Sequence, residues 1–297
     1  MQRTLRYPGF WLAVGLVVGV MMLQGVVGGI AEAARLIFGS RGGSSAQILA
    51  NPLVLGTINI LALGAMIALG LLINKLHPRN AFPLGTVRPG AWLAVLLVTL
   101  GGLILLSEAD NVFRWLCPPP EFLAKLMGEL FLPKGHFWSS LFTIAIVAPL
   151  TEEFLFRGII LRGLLSRYRP VAAVLLTAML FAFMHLNPWQ TISAFTLGTL
   201  YGWFYLRTGS VWPGVLGHAV NNGIFVIVTA APFGLWEAPT ADGFTKVEFQ
   251  PWWFNVTGVS LLGLGLWLFR KSTPAPLANL LPPPVLQSAA PPPLLNP

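Results

Sequence analysis

Charge is scarce in this sequence. Only 9% of its 297 residues are Asp, Glu, Lys or Arg while 55% are hydrophobic, too little polar material to cover a water-facing globule. Cysteine is nearly absent: Cys117 stands alone. An intramolecular disulfide is therefore excluded, and with no Cys-x-x-Cys partner and no His beside it, neither redox nor zinc-thiolate chemistry is indicated. Histidine occurs four times. There is no Gly-x-Ser-x-Gly elbow and no His-Glu-x-x-His, which argues against a serine hydrolase or a zincin. The net charge of +8 is scattered over short loops and not gathered into a patch, so nucleic acid is not an expected partner and membrane topology accounts for the charge better.

What the chain has in quantity is apolar runs of bilayer-crossing length. They lack the alternation of a transmembrane β-barrel, and a spanning segment must satisfy its own backbone hydrogen bonds, so the fold class is all-α, a polytopic transmembrane helix bundle. Apolar windows between charged or Pro/Gly-rich breaks predict about eight spans, at 10–31, 52–75, 90–107, 137–161, 170–186, 190–206, 211–231 and 252–270. The stretch from Phe10 to Ile30 exceeds a signal-peptide core of roughly 7–15 residues and reads as a retained first span. Counted from a cytoplasmic N-terminus, twelve of the 18 basic residues fall inside. This favours a multi-pass protein of a bacterial-type cell membrane, in contact with the bilayer and with both termini cytoplasmic.

The organisation follows from those windows. Residues 1–136 form N-terminal helices and a surface connector, in which Leu123, Leu126, Leu130 and Phe131 have the spacing of an amphipathic helix. Residues 137–231 form a helix core, 232–272 a loop and last span, and 273–297 a Pro-rich tail that reads as disordered. Gly15/Gly19 and Gly25/Gly29 in the first helix permit close helix approach.

Against this apolar background "PLTEEFLFRG", residues 149–158, places three charges in one span. A central charge costs roughly 2.5–3.5 kcal/mol even on the lenient insertion scale. Glu153 and Arg157 are four apart on one helical face and can pair, whereas Glu152 projects about 100° away. Glu153 is accordingly assigned to structure and Glu152 to chemistry. Two of the histidines also fall inside spans: His185, four residues after Phe181, and His218, four before Asn222. A single intramembrane His is as often a helix-to-helix hydrogen-bond former, but the bundle interior is the one place where all of these groups avoid lipid together.

Glu152-Glu153-x-x-x-Arg157, Phe181-x-x-x-His185 and His218-x-x-x-Asn222, in that order, resemble the three signature motifs of the CPBP intramembrane proteases, a family that includes CAAX prenyl endopeptidases and bacteriocin-processing or immunity-type proteins. The resemblance covers about residues 137–231 and implies peptide-bond hydrolysis in a buried site, with a peptide or protein substrate, prenylated in the CAAX case. Glu152, with His185, would deprotonate a water and return the proton to the leaving amine, while His218 and Asn222 would donate to the oxyanion. Glu153, Arg157 and Phe181 would support them, and the four catalytic groups are expected to converge in the cytoplasmic half of the bundle. The family has been described both as metallo- and as glutamate-dependent proteases. Glu152, His185 and His218 would be the ligands if zinc were present, but Asn222 is a poor zinc ligand, and no cofactor is favoured. The competing readings are a non-enzymatic interaction or immunity scaffold and, ranked last, a transporter, for which no inverted repeat is evident.

Overall fold

The computed structural model describes residues 7–38, 51–77, 81–124, 136–230 and 247–273. The Pro-rich tail and the connector residues Leu126, Leu130 and Phe131 lie outside the described residues.

The described chain is helical throughout, apart from an isolated bridge between Leu84 and Ser210. The long helices are α1 (Phe10–Phe38), α2 (Pro52–Ile73) and α3 (Pro89–Leu116). A composite helix over 137–165, α4, joins α-helical Phe137–Phe142, π-helical Thr143–Val147, α-helical Ala148–Glu153, π-helical Phe154–Ile160 and α-helical Leu161–Leu165. Then follow α5 (Pro170–Met184), α6 (Pro188–Thr208), α7 (Trp212–Ala230) and α8 (Trp252–Ser272). Proline opens α2, α3, α5 and α6, the position where its missing N–H has no intrahelical partner to lose. Asn51 and Asn187 cap α2 and α6 through their side-chain oxygens, and Gly209, at φ 64°, closes α6 in the left-handed conformation.

Helices occupy all the predicted windows, but among the described residues only α1, α2, α3 and α8 are long and apolar enough to cross a membrane by themselves. α5 has 15 residues, about 22 Å of helix against a hydrocarbon core of roughly 30 Å. The count of about eight spans is therefore not established by the helices alone. α3 also runs nine residues beyond its predicted end at 107. Glu108 and Asp110 suggested a boundary, yet Glu108 accepts from the Gln250 backbone N–H (3.0 Å) and from Asn111 (3.0 Å), and Asp110 pairs with Arg114 (2.8 Å).

Contacts between helix ends reveal an up-and-down bundle. At one end Arg167 donates to the carbonyls of Tyr7 and Pro8, Arg162 to that of Ala81, Val211 N–H to that of Pro83, and Arg207 to those of Arg270 and Thr273. At the other end Trp189 Nε1 donates to the Cys117 carbonyl (2.7 Å) and Asn111 to that of Glu248 (2.8 Å). Among the described residues the first end holds Lys75, Arg88, Arg162, Arg167, Arg169, Arg207, Arg270 and Lys271 and no acidic residue, whereas Glu32, Glu108, Asp110, Glu121 and Glu248 lie at the second.

Two apolar clusters fill the interior. One joins α1, α2, α4, α5 and α6 around Val17, Leu63, Leu155, Phe156, Ile160, Leu180 and Tyr205; the other joins α3, α6 and α8 around Val95, Val98, Tyr201, Phe204 and Phe269. Backbones of α3 and α8 approach closely, whereas the α1 glycines, whose spacing permits close approach, are mostly not used for it: Gly15, Gly25 and Gly29 face open space, and of the four only Gly19 meets a neighbour, Met66. A Cβ at Gly101 would lie 2.4 Å from Leu262 N and 2.6 Å from Gly258 O, backbone atoms that cannot turn aside. Gly101→Ala should therefore lower the Tm in detergent, by an amount equivalent to about 1–3 kcal/mol of overpacking. Gly15→Ala, which meets nothing, should not; equal Tm values for the two variants would contradict this packing.

Candidate active site

The charged turn of α4 lies between the two apolar clusters. The α-helical Ala148–Glu153 carries both carboxylates and is flanked on each side by a π-helical stretch, a local widening that often accompanies functional positions and that the hydropathy pattern did not reveal. Arg157, in the second π stretch, is wholly buried. Its Nη1 donates to Glu153 Oε1 at 2.7 Å and its Nη2 to the Gly198 carbonyl at 2.9 Å. The guanidinium carbon lies 5.1 Å from the centre of the Phe181 ring and 5.5 Å from that of Tyr201. The planar fork thus satisfies a carboxylate and a carbonyl at once while its faces meet aromatic surface, a combination that suits Arg and not Lys.

Glu153 does more than pair with Arg157. The same Oε1 lies 3.2 Å from His218 Nδ1. A carboxylate only accepts, so Nδ1 carries the proton in this contact and the other nitrogen, Nε2, is left to face the site. Nε2 is 3.9 Å from Glu152 Oε2. The His218 ring is held from two further directions, stacked on Tyr201 (centroids 5.5 Å apart, planes at 25°) and met edge-on by Phe181 (5.7 Å, 83°). The expectation that Glu153 turns wholly away from the site is corrected: α7 brings a histidine to the oxygen that Arg157 already neutralises. Gly214, one turn before His218, makes room for this, since a Cβ there would lie 2.5 Å from Glu153 Oε2.

Glu152 is the carboxylate without a settled partner. Its side chain is 10% exposed, and Oε2 has no hydrogen-bond partner within the protein. A separation of 3.9 Å from His218 Nε2 is too long for a hydrogen bond and short enough for one water to touch both atoms.

His185 caps the C-terminus of α5, and its Nδ1 lies 2.9 Å from the Phe181 carbonyl. A carbonyl only accepts, so Nδ1 donates and the neutral ring has its lone pair at Nε2. The Phe181 ring touches both imidazoles, 5.0 Å from His185 and 5.7 Å from His218. No direct hydrogen bond joins Glu152 to His185; the histidine that the Glu152 carboxylate meets is His218. Asn222 donates to the Ile144 carbonyl in the first π stretch (2.9 Å) and accepts from Asn221 (3.1 Å). One more N–H of its amide is available to a ligand.

Of the seven residues singled out from the motifs, on α4, at the end of α5 and on α7, Glu152, Glu153, Arg157, Phe181, His185 and His218 are linked by the contacts above, while Asn222 contacts Ile144 and Asn221. Along the bundle the cluster is spread in depth: His218 is about 9 Å along α7 from Trp212 at the arginine-rich end, Glu152 is about 20 Å along α4 from Leu165 at the same end, and His185 directly follows the far end of α5. Among the described residues no three of His, Cys, Asp and Glu form a set able to hold a metal ion, so Glu152, His185 and His218 do not fit the three-ligand arrangement that zinc would require. Gly198, Tyr201 and Gly214 were not found from the sequence. Gly198 and Gly202 were legible as a small-xxx-small pair on α6, where a Cβ would meet Ala178 at 3.1 Å and Val174 at 2.9 Å.

Comparison with known proteins agrees with the motifs. The family described as type II CAAX prenyl endopeptidase Rce1-like matches residues 134–224. "Putative membrane peptidase YdiL" of Bacillus subtilis is 27% identical over 88 residues, which cover 30% of this chain and 36% of that protein. "Uncharacterized protein YyaK" of the same organism is 25% identical over 218 residues, covering 62% of this chain and 72% of the relative. The chain therefore spans only about a third of the first relative. No solved structure matches. The matched segment contains every side chain of the cluster, and the helix core of this membrane protein is similar to the Rce1-like family.

Proposed function

We propose that this chain is an intramembrane endopeptidase of the CAAX type that uses Glu152 as its proton acceptor. The observation that carries the reading is the buried Glu152 Oε2, without a partner in the protein and 3.9 Å from His218 Nε2. An unmet buried acceptor costs about 1–3 kcal/mol, and more when charged; such a group is retained at a site where a reacting molecule supplies the missing partner.

In this mechanism Glu152 takes a proton from a water as the water oxygen bonds to the scissile carbonyl carbon. The His185 Nε2 lone pair, fixed by the Nδ1 donation to Phe181, orients that water. The carbonyl oxygen becomes an oxyanion and receives hydrogen bonds from Asn222 and from His218. Donation by His218 Nε2 needs the doubly protonated ring, because Nδ1–H is committed to Glu153. Collapse of the tetrahedral intermediate breaks the carbon–nitrogen bond, and Glu152 returns its proton to the leaving amine. Glu153 and Arg157 act by positioning His218, and Phe181 by separating and packing the two imidazoles.

Detergent-purified protein incubated with a library of unmodified peptides and prenylated C-a-a-X peptides should cleave at least one class, with equal rates with and without a chelator. Cleavage abolished by the chelator and restored by zinc would replace the glutamate mechanism with a metal one. Absence of any cleavage would leave the cluster as interhelical hydrogen bonding.

A further inference from the structure

A proline inside a helix removes one N–H from the hydrogen-bond ladder and sets its ring against the carbonyl four residues earlier. Pro149 does this in α4, three residues before Glu152, and it is buried. The consequence falls on the π-helical stretch just before it, Thr143–Val147. In an α-helical register the Ile144 carbonyl would accept from the N–H of residue 148, and in a π-helical register from that of residue 149. Ala148 donates its N–H to the Thr143 carbonyl instead, and residue 149, being proline, has none to give. Neither register supplies the Ile144 carbonyl with a donor.

The donor comes from α7. Asn222 Nδ2 donates to that carbonyl at 2.9 Å, and Asn222 Oδ1 accepts from Asn221 Nδ2 at 3.1 Å. The next residue, Gly223, brings α7 against the same turn, since a Cβ there would meet the Ala145 Cβ at 3.6 Å. With its oxygen and one amide hydrogen both engaged, the Asn222 side chain has a fixed plane, and the second Nδ2 hydrogen has one direction left to it. α7 is thereby tied to α4 at two places, His218 to Glu153 at 3.2 Å and Asn222 to Ile144. A π-helical hydrogen bond spans one residue more than an α-helical one, so loss of the π turn would rotate Ile144 relative to Glu152 by about 100°. The two ties could not then be kept together.

We propose that Pro149 is a positioning residue of the site: by withholding an N–H it leaves the Ile144 carbonyl to Asn222, and this bond aims the remaining Asn222 N–H. The inference rests on the endopeptidase reading for the role of that N–H as an oxyanion donor, whereas the link from Pro149 through Ile144 to Asn222 stands without it. Pro149 itself touches no reacting atom. The helix gives up a ladder bond here, and a side chain of another helix is held in return, a local sacrifice of stability of the kind that accompanies function.

Pro149→Ala returns the missing N–H to α4, where a carbonyl takes it, and Asn222 loses its anchor. In the full chain purified in detergent, the Tm of Pro149→Ala should equal or exceed that of the parent. Its kcat on the best peptide should fall about tenfold or more at little-changed KM, because an oxyanion donor acts in the transition state and outright loss of one costs about 10²–10³. A double-mutant cycle with Asn222→Ala separates this from a general effect of the proline. In the parent background Asn222→Ala should lower both Tm and kcat, since it strips the Ile144 carbonyl of its donor; in the Pro149→Ala background it should lower each by clearly less. Parental kcat in Pro149→Ala overturns the inference, as do additive losses in the cycle. A Pro149→Ala protein that fails to fold overturns it too, because the returned N–H has an acceptor waiting. The Tm cycle needs no substrate, so coupled Tm values in a protein that cleaves no peptide refute the endopeptidase reading alone.

Discussion

Glu152→Gln should abolish turnover and leave the bundle folded. The amide matches the carboxylate in shape but accepts no proton, and the general-base contribution alone is worth about 10²–10⁴ in rate. The Tm should equal that of the parent or exceed it, because Glu152 Oε2 is a buried acceptor with no partner in the protein and the substitution removes an uncompensated charge without opening a cavity. Two measurements check this: cleavage of the best peptide per folded molecule, and thermal unfolding in detergent. Retention of full activity would remove Glu152 from the mechanism. A Tm loss as large as that expected for Arg157→Ala would make it a structural residue.

Arg157→Ala should act on folding before it acts on chemistry. The substitution leaves Glu153 wholly buried without its counter-charge, strips the Gly198 carbonyl of its donor and withdraws the cation from between Phe181 and Tyr201. Breaking a buried pair from one side costs about 3–5 kcal/mol, enough to consume much of the stability of a typical domain. Yield and Tm in detergent should both fall sharply. Arg157→Lys should recover part of the loss, since an ammonium can neutralise Glu153 but cannot reproduce the fork that also reaches Gly198. Glu153→Gln together with Arg157→Met should recover Tm relative to Arg157→Ala by removing the stranded charge. It should remain slow, because His218 Nδ1 then faces an amide and not a carboxylate. If Arg157→Ala purifies at normal yield and Tm yet is inactive, Arg157 belongs to the catalytic machinery.

Much of this protein is legible before any coordinates, for a local reason. Low charge and long apolar runs specify membrane helices, and proline at the first turn of α2, α3, α5 and α6 sets where they begin to within a residue or two. The pairing of Glu153 with Arg157 depends on a four-residue spacing and is realised at 2.7 Å. The separation of Glu152 from Glu153 is likewise a property of consecutive positions on one helix.

What lay beyond the sequence involves other helices. Periodicity cannot show that α7 delivers His218 to the oxygen already held by Arg157, that Tyr201 lies flat against that imidazole, or that Gly214 must be small where Glu153 passes. It shows where glycine spacing permits close approach, in α1, whereas only assembly shows Gly101 against α8. The end of α3 was misjudged because Glu108 looked like a boundary until Gln250, more than a hundred residues on, supplied its donor. Composition and short-range spacing determined the helices, their polar residues and the family they resemble; the packing of α4, α5, α6 and α7 decided which of those residues touch, because a charge in an apolar interior takes its partner from whichever helix comes within about 3 Å.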